Sequence, residues 1–352
     1  MPLLLSRRLA IIATPILLLA PAPPLSVSAS ADDAPKTAHE SAVLDRIFAN
    51  WKSRHDRVRS LHFTIDVRML YKKGAFDFSS LNPRRFERDQ FFQQFGVQIW
   101  IEGDDRMCVV NTPTFKVPQA KLTDTHRMDR RAVTVGQTQW NYSAGRPFEI
   151  GPASRNWSAP HGTVWRNTEV DPPLVGPVAR PLLFAFRPQS PFVLLQKEQC
   201  RLVDENSLVD DGHYIKFQRV VEASRAVPIR RTEACWVSPA REHDIVHWRI
   251  ETRDSTIDGS VKYAKDKTCG WVPSEWTVET RGAEVSEYQV VKYELNEPID
   301  PAIFSQQFPA GTPVEERSGS GVAQKIRHYV VQPDGSERSI TFQDYLRLAQ
   351  VP

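Results

Sequence analysis

Five consecutive runs of sequence decide the fold of this chain: RRTEACWVSP (230–239), HDIVHWRIET (243–252), DGSVKYAK (258–265), GWVPSEWTVETRG (270–282) and VSEYQVVKYELN (285–296). Each run is short, rich in Val, Ile, Trp and Tyr, and bounded by Pro, Gly, Asp or Asn. The alternation of apolar and polar residues within them is typical of half-buried antiparallel strands. The runs therefore predict a meander whose inward face carries Trp236, Val246, Trp248, Ile250, Val272, Trp276 and Val278.

The N-terminal half of the chain continues the strand pattern after one helix. An amphipathic helix is predicted for 39–56, because Leu44, Ile47, Phe48 and Trp51 recur at spacings of three and four. A strand at 60–71 follows, in which every second residue is apolar. Further strands are predicted at 95–102, 105–111, 197–204 and 212–222, together with a hairpin around Gly136.

Three long segments lack any period and are predicted to be mainly loops: 72–92, 113–130 and 144–180. Segment 172–196, PPLVGPVARPLLFAFRPQSPFVLLQ, is apolar but rich in proline, so only short helical pieces are expected in it. It is interpreted either as a lid over a cavity or as an ordinary cover over the core. Residues 317–352 are predicted to form a linker, with Gly319 and Gly321, and a tail with a small hairpin and a short amphipathic piece.

The N-terminus carries the features of a secretory signal peptide. Arg7 and Arg8 precede an apolar run at 9–20, and Ala29-Ser30-Ala31 supplies a small-residue cleavage site. Cleavage after Ala31 is predicted, which places the protein in the periplasm or outside the cell. The alternative is an uncleaved anchor, although the run is short and broken by Pro15. No later apolar run approaches membrane-spanning length, so the mature chain is expected not to span the membrane.

Net charge bears on the class of binding partner, and cysteine content bears on disulfide pairing. Cleavage removes two arginines from a chain of 45 basic and 42 acidic residues, so the mature protein is close to neutral. Nucleic acid is therefore not an expected partner. The four cysteines, in an oxidising compartment, allow three complete pairings, and none of them lies on a strand directly next to another in the predicted order. They are Cys108, Cys200, Cys235 and Cys269.

A catalytic signature is missing from the sequence. Among its histidines, His243 and His247 are the best metal candidates, but on a strand they lie about 13 Å apart. The paired acids at 104–105 and 210–211 fall in predicted turns, where carboxylates usually cap backbone groups. Neither the HExxH, GxSxG, P-loop nor GxGxxG pattern occurs. No metal, cofactor or enzymatic activity is therefore expected.

One predicted strand of the chain has a sequence motif similar to that of a known family. Gly136-Gln-Thr-Gln-Trp140-Asn-Tyr142 is similar to the G-x-x-x-W-x-Y strand pattern of the LolA/LolB-like periplasmic lipoprotein-carrier superfamily. The segment 51–63 resembles the start, and 270–314 the end, of large secreted members predicted in planctomycete-type bacteria. The resemblance covers roughly residues 40–316. The chain is longer than the carrier, and the polar functional residues of the carrier find no counterparts in it.

The resemblance implies an α+β fold, mainly antiparallel β, in which a curved sheet forms a half-closed barrel with helices over the open mouth. The half-barrel domain spans 32–316 and includes 172–196 as its cover. In the carrier, the acyl chains of lipoproteins occupy the apolar hollow between sheet and helices. Acyl chains bind through the area that they remove from water, which requires no charged machinery.

The leading hypothesis is an exported, non-enzymatic binding protein that holds a lipid or the acyl chain of a protein. The residues expected to line the ligand are Phe63, Ile65, Trp100, Trp140, Tyr142, Phe184, Phe186, Trp248 and Trp276. These aromatic residues have core packing as their other interpretation. The alternative function is therefore an envelope interaction or sensor module whose barrel is filled by its own side chains, and an enzyme is a third possibility.

Overall fold

The computed structural model describes residues 36–72, 90–111, 129–144, 160–166, 178–190, 193, 195–210, 212–222, 230–280, 284–319 and 325–349. The predicted signal peptide at 1–31 lies outside the described residues. So do large parts of the predicted loops, several residues of the cover segment and the middle of the predicted linker.

Sixteen strands and three α-helices occur in the described part of the chain. The helices are α1 (Ala38–Arg57), α2 (Arg180–Phe186) and α3 (Phe342–Ala349). The first eight strands are β1 (Ser60–Lys72), β2 (Gln90–Glu102), β3 (Arg106–Asn111), β4 (Asp129–Val135), β5 (Thr138–Ala144), β6 (His161–Arg166), β7 (Arg201–Val209) and β8 (Gly212–Val221). The others are β9 (Arg231–Ser238), β10 (Asp244–Glu251), β11 (Thr256–Asp266), β12 (Gly270–Thr280), β13 (Glu284–Leu295), β14 (Pro313–Ser318), β15 (Lys325–Val331) and β16 (Glu337–Ser339).

All sixteen strands join one sheet, in the order β16-β15-β14-β6-β5-β4-β3-β2-β1-β13-β12-β11-β10-β9-β8-β7. Two meanders, β1–β6 and β7–β13, meet at a central seam where β1 pairs with β13 from Leu61↔Leu295 to Tyr71↔Glu284. Only the β6–β14 pair is parallel among the described strands. The sheet is open in the part of the chain that the structure describes, since β16 and β7 have one neighbour each.

The predicted fold class, α+β with a mainly antiparallel sheet that does not close and few helices, is confirmed for the described residues. The predicted meander at 230–296 is β9–β13, and the predicted helix at 39–56 is α1. Two strands were missed: β6 lies within 144–180, which was expected to be mainly loop, and β14 (Pro313–Ser318) lies where no strand was predicted. Only Val164 and Gly162 of β6 are buried, so its apolar period is too short to stand out.

Helix α1 covers the face of the sheet that we call the inner face. Its start is fixed by Thr37, whose hydroxyl accepts a hydrogen bond from the backbone N–H of Glu40 at 3.0 Å. The predicted apolar stripe is buried, with Leu44 and Ile47 fully covered and Trp51 1 % exposed. The stripe packs into the core cluster shared with β1–β3 and β8–β13, so α1 is held mainly by apolar burial.

A β-bulge corrects the predicted inward face of the meander. Between Ile245 and His247 the register of β10 against β9 shifts by one residue. Beyond a bulge every side chain changes face, because side chains alternate along a strand. Ile245 and Trp248 therefore both lie on the inner face, whereas Val246 and Trp236 pack together in a separate cluster. The other five predicted residues, Trp248, Ile250, Val272, Trp276 and Val278, belong to the inner core.

The connection 296–312 joins β13 to β14 and includes a short 3-10 turn at Pro301–Phe304. It covers part of the opposite face of the sheet, which we call the outer face. Phe304 is buried there with Cys108 and Val133. Arg131 fixes this connection by donating from Nη2 to the carbonyl oxygen of Ile303 at 2.6 Å. Further along, a side chain at Gly162 would collide with the ring of Phe308, so glycine is required for this close approach.

The C-terminal residues extend the same sheet. Strand β14 pairs with β6 on one side and with β15 on the other, and β16 follows β15. Helix α3 packs against this part of the sheet through Tyr345, which is 2 % exposed and lies 4.8 Å from the ring of His328. The predicted tail hairpin and amphipathic piece correspond to β15, β16 and α3.

Candidate functional site

Aromatic residues concentrate on the inner face below α2. The rings of Phe63 on β1 and Phe186 on α2 lie 6.3 Å apart. Phe184 on α2 meets Trp248 on β10 edge to face at 5.6 Å, and Trp276 on β12 stacks on Tyr288 at 5.3 Å. These ring contacts connect the short helix to both halves of the sheet.

The sequence of α2 explains its position. Pro181 lies in the first turn, where a missing N–H costs nothing, and every residue from Pro181 to Phe186 is buried. A helix that is apolar on all sides must be enclosed on all sides. Helix α2 therefore lies against β10 and β12 and beside α1.

A buried arginine fixes the C-terminal end of α2. Arg187 donates from Nε to the carbonyl oxygen of Gly103 at 2.9 Å and from Nη2 to that of Arg59 at 2.9 Å. Its Nη1 donates to Phe186 at 2.8 Å. Burial lowers the pKa of Arg187 to about 10, against the opposing effect of Asp104. The side chain remains charged at neutral pH, and it ties α2 to the ends of β1 and β2.

The nine residues predicted to line a ligand fall on two different faces. Six of them share the inner core, each 2 % exposed or less: Phe63, Ile65, Phe184, Phe186, Trp248 and Trp276. Trp100 and Trp140 lie on the outer face beneath the 296–312 connection, and Tyr142 approaches Phe308 there at 6.3 Å. Trp100 lies between Ile99 and Ile101, which point inward, so its own side chain points to the outer face. There its ring stacks on His62 at 4.6 Å.

Two indole groups on the inner face stand out by their polar atoms. The Nε1 atoms of Trp248 and Trp276 are buried and have no hydrogen-bond partner within the described residues. By contrast, Trp51 donates to the carbonyl oxygen of His243 at 2.7 Å. A buried donor without an acceptor destabilises the folded state and calls for an explanation.

Charged side chains border the inner core, and sequence reasoning did not single them out. Arg54 of α1 forms a fully buried ion pair with Asp244 of β10. Burial lowers the pKa of Arg54 to about 10. Arg54 lies three residues after Trp51 and seven after Ile47, so its place on the apolar stripe was a signal in the sequence.

A second charged group lies between β8 and β9. Glu233 accepts from Arg219 at 2.7 and 2.9 Å and from Arg231 at 2.7 Å. Burial alone would raise the pKa of Glu233, but the two arginines hold it below its ordinary value. Glu233 therefore stays ionised, and its charge is compensated within the protein.

The four cysteines are buried free thiols. Burial raises the pKa of Cys200 to about 12 and that of Cys235 further, and it also raises the pKa of Cys108. A thiol must lose its proton to act as a nucleophile. These three groups therefore have little nucleophilic character at neutral pH.

The two histidines considered as metal ligands have other contacts. Nδ1 of His243 lies 2.6 Å from Nδ2 of Asn50, and His247 packs on Trp236 with Asp258 at 3.6 Å. Within the described ranges, no group of three or more His, Cys, Asp or Glu side chains could hold a metal ion. None of the helices in those ranges is long and apolar enough to cross a membrane.

Comparison with known proteins yields structural similarity alone. No protein-family model matches the sequence, and no curated protein matches it significantly. A domain from Vibrio parahaemolyticus, provisionally designated an outer membrane lipoprotein-sorting protein, is 10% identical with a TM-score of 0.41, over 74% of this chain and 95% of that one.

Two further solved structures are similar to this chain. A DUF1329 family protein from Desulfovibrio piger is 11% identical with a TM-score of 0.41, over 77% of this chain and 98% of that one. A LolA superfamily protein from Nitrosomonas europaea is 12% identical with a TM-score of 0.38, over 73% and 97%. These values identify no ligand and no functional residue of this chain.

Proposed function

We propose that this protein is an exported, non-enzymatic binding protein that holds a hydrophobic ligand, a lipid or the acyl chain of a protein, between the inner face and α2. The observation that carries the proposal is a cluster of six buried residues. Four lie on the inner face of the sheet, Phe63, Ile65, Trp248 and Trp276, and two, Phe184 and Phe186, lie on the short, proline-flanked helix above them. The periplasm or the extracellular space is the proposed location, after removal of residues 1–31.

The physical basis of binding is apolar area. Each buried aromatic side chain contributes about 150–250 Å², and transfer from water stabilises by about 25 cal/mol per Å². An acyl chain that takes the place of these side-chain contacts would remove a similar apolar area from water, and this burial would contribute a similar free energy to binding. Because these side chains are 2 % exposed or less, α2, a separate seven-residue element held at its C-terminal end by Arg187, would have to move to admit the chain.

Lipid extraction and native mass spectrometry of the purified protein test this function. We expect a lipid-sized mass to remain bound, and a fluorescent fatty-acid probe to compete with it. Phe184→Asp, which places a charge below α2, is expected to reduce probe affinity at least tenfold. Leu208→Asp, on β7 where Leu208 is 64% exposed, is the matched control. Absence of lipid together with absence of probe binding would contradict the proposal.

A second function is favoured by one observation. The six residues are 2 % exposed or less, and the two of α2 pack on the aromatic rings of the sheet, as in a core filled by its own side chains. An envelope interaction or sensor module would have this interior. A stoichiometric protein partner in a pull-down, with no lipid and no probe binding, would favour this function instead.

A further inference from the structure

The unpaired indole groups of the inner face lie on strands that flank the same neighbour. Trp248 is on β10 and Trp276 is on β12, and both strands pair with β11. The two side chains are 1% and 2% exposed, and both Nε1 atoms lack acceptors among the residues described. An indole N–H can only donate, so each of these two groups requires an acceptor to form a hydrogen bond.

Elsewhere the fold supplies acceptors for buried indoles. Trp51 donates to a carbonyl oxygen, and Trp236 donates to Oγ of Ser207 at 3.0 Å. Trp236 belongs to the small cluster away from the inner core. The two donors left over are both below α2, at the site where the ligand is proposed to bind.

The ring of Trp248 lies over the strand that separates it from Trp276. A side chain at Gly259 of β11 would collide with Cε2 and Cζ2 of the Trp248 ring. The six-membered ring of Trp248 therefore lies over β11. Gly259 pairs with Val278 of β12, two residues from Trp276, so both donors belong to one region of the inner face.

The apolar surroundings of the two indoles indicate which class of acceptor group could bind there. Phe184, Val261 and Val278 are apolar neighbours in the same core. At its border Arg54 is paired with Asp244 and Glu233 with Arg219, and the guanidinium of Arg180 lies over the ring of Phe184 at 5.8 Å. An ionised carboxylate buried beside the two indoles would exchange its hydration for two neutral N–H donors. A plain hydrocarbon carries no acceptor. An ester carbonyl is a neutral acceptor attached to an acyl chain.

We propose that Trp248 and Trp276 form a donor pair for the carbonyl oxygens of a neutral acyl ester bound below α2. This inference rests on the proposed function and adds the chemical class of the ligand. The protein distinguishes ester-linked acyl chains from free fatty acids and from hydrocarbons through these two N–H groups.

Three matched probes test the inference: a pyrene-labelled fatty acid methyl ester, the corresponding free acid and the corresponding pyrenyl alkane. The purified protein is expected to bind the ester about tenfold more tightly than the alkane or the acid. Trp248→Phe and Trp276→Phe are each expected to lose most of the tenfold preference for the ester over the alkane. Trp236→Phe, which removes an indole already paired with Ser207, leaves both affinities unchanged.

Equal losses for ester and alkane would show that the two rings act by packing alone and would overturn the inference. Tighter binding of the acid, or no preference for the ester in the unsubstituted protein, would overturn it as well. If none of the three probes binds, the proposed function itself fails, and the inference fails with it.

A spectroscopic measurement on the unsubstituted protein decides the matter if the variants do not fold. The chain has nine tryptophans, so a ¹⁵N-indole spectrum contains nine N–H signals. The ester is expected to move two of them downfield, and the alkane is expected to leave those two positions unchanged. A spectrum in which the ester moves no signal downfield would refute the donor pair.

Discussion

Arg54 of α1 and Asp244 of β10 form an ion pair in which neither side chain is exposed to solvent. The Nε and Nη2 atoms of Arg54 and the Oδ2 atom of Asp244 have no hydrogen-bond partner among the described residues. Desolvation of both charges is therefore only partly offset. The pair fixes α1 against the start of β10, next to Trp51 and its hydrogen bond to His243.

We expect Arg54→Met or Asp244→Asn alone to lower the free energy of unfolding by about 3–5 kcal/mol, because each leaves one buried charge without its counter-ion. The double variant is expected to lose much less than the sum of the two. Urea unfolding of the four proteins measures this cycle. Additive losses would mean that the two charges do not interact in the folded chain.

Gly259→Ala tests the packing of Trp248 over β11. The added Cβ would collide with the indole ring, and overpacking of a buried site costs about 1–3 kcal/mol. The cost is expected to fall in a Trp248→Leu background, where the ring is absent. The measurement is again the urea midpoint, and an equal cost in both backgrounds would place the strain elsewhere.

His243 is expected to make stability depend on pH. Burial, followed by Arg46 and Arg54, lowers the pKa of His243 below its ordinary value, and its Nδ1 accepts from Asn50 only when unprotonated. The unfolded chain therefore takes up the proton more readily. The contribution of neutral His243 to the free energy of unfolding is complete above the pKa of the unfolded chain, about 6.5. It is lost as the pH falls through the lower pKa of the folded protein.

His243→Asn isolates this contribution. Asparagine tolerates the positive φ of 60° at this position better than most residues. Between pH 7.5 and 5.5 the unsubstituted protein is expected to lose more unfolding free energy than the variant. His213→Asn, at an exposed position on β8, controls for the loss of one imidazole. Parallel pH profiles for His243→Asn and the unsubstituted protein would refute the assignment.

Arg187→Met is expected to release α2 locally. The substitution leaves the carbonyl oxygens of Gly103, Arg59 and Phe186 without their donor, at a cost of about 1–3 kcal/mol for each group that water does not reach. Hydrogen exchange at 180–186 should accelerate, while α1 stays protected. Arg68→Met, which removes one partner of an exposed ion pair with Glu287, is the control.

Alternation located most strands because one face of this sheet is buried and the other is polar over much of its length. It also found the stripe of α1, through Leu44, Ile47 and Trp51. It failed at Val246, since a bulge is a local irregularity that a strict period cannot represent. Strand β6 was missed because a single large apolar residue, Val164, carries its buried side.

The candidate site was predictable only in part. Alternation tells which residues of one strand share a face, and Trp100 therefore separates from Ile99 and Ile101. It does not tell which face a given helix will cover, and Trp100, Trp140 and Tyr142 were for that reason grouped with Phe63 and Trp248. The Arg187 hydrogen bonds connect residues far apart in the chain, and no local pattern announces them.

The seam between β1 and β13 has a consequence for how the protein is made. Leu61 meets Leu295, so β1 has an unsatisfied edge from early in synthesis until nearly the whole chain exists. Long-range pairing of this kind slows folding and exposes strand edges to other chains. A chain truncated before residue 284 would carry that edge permanently, and self-association is the expected fate of such fragments.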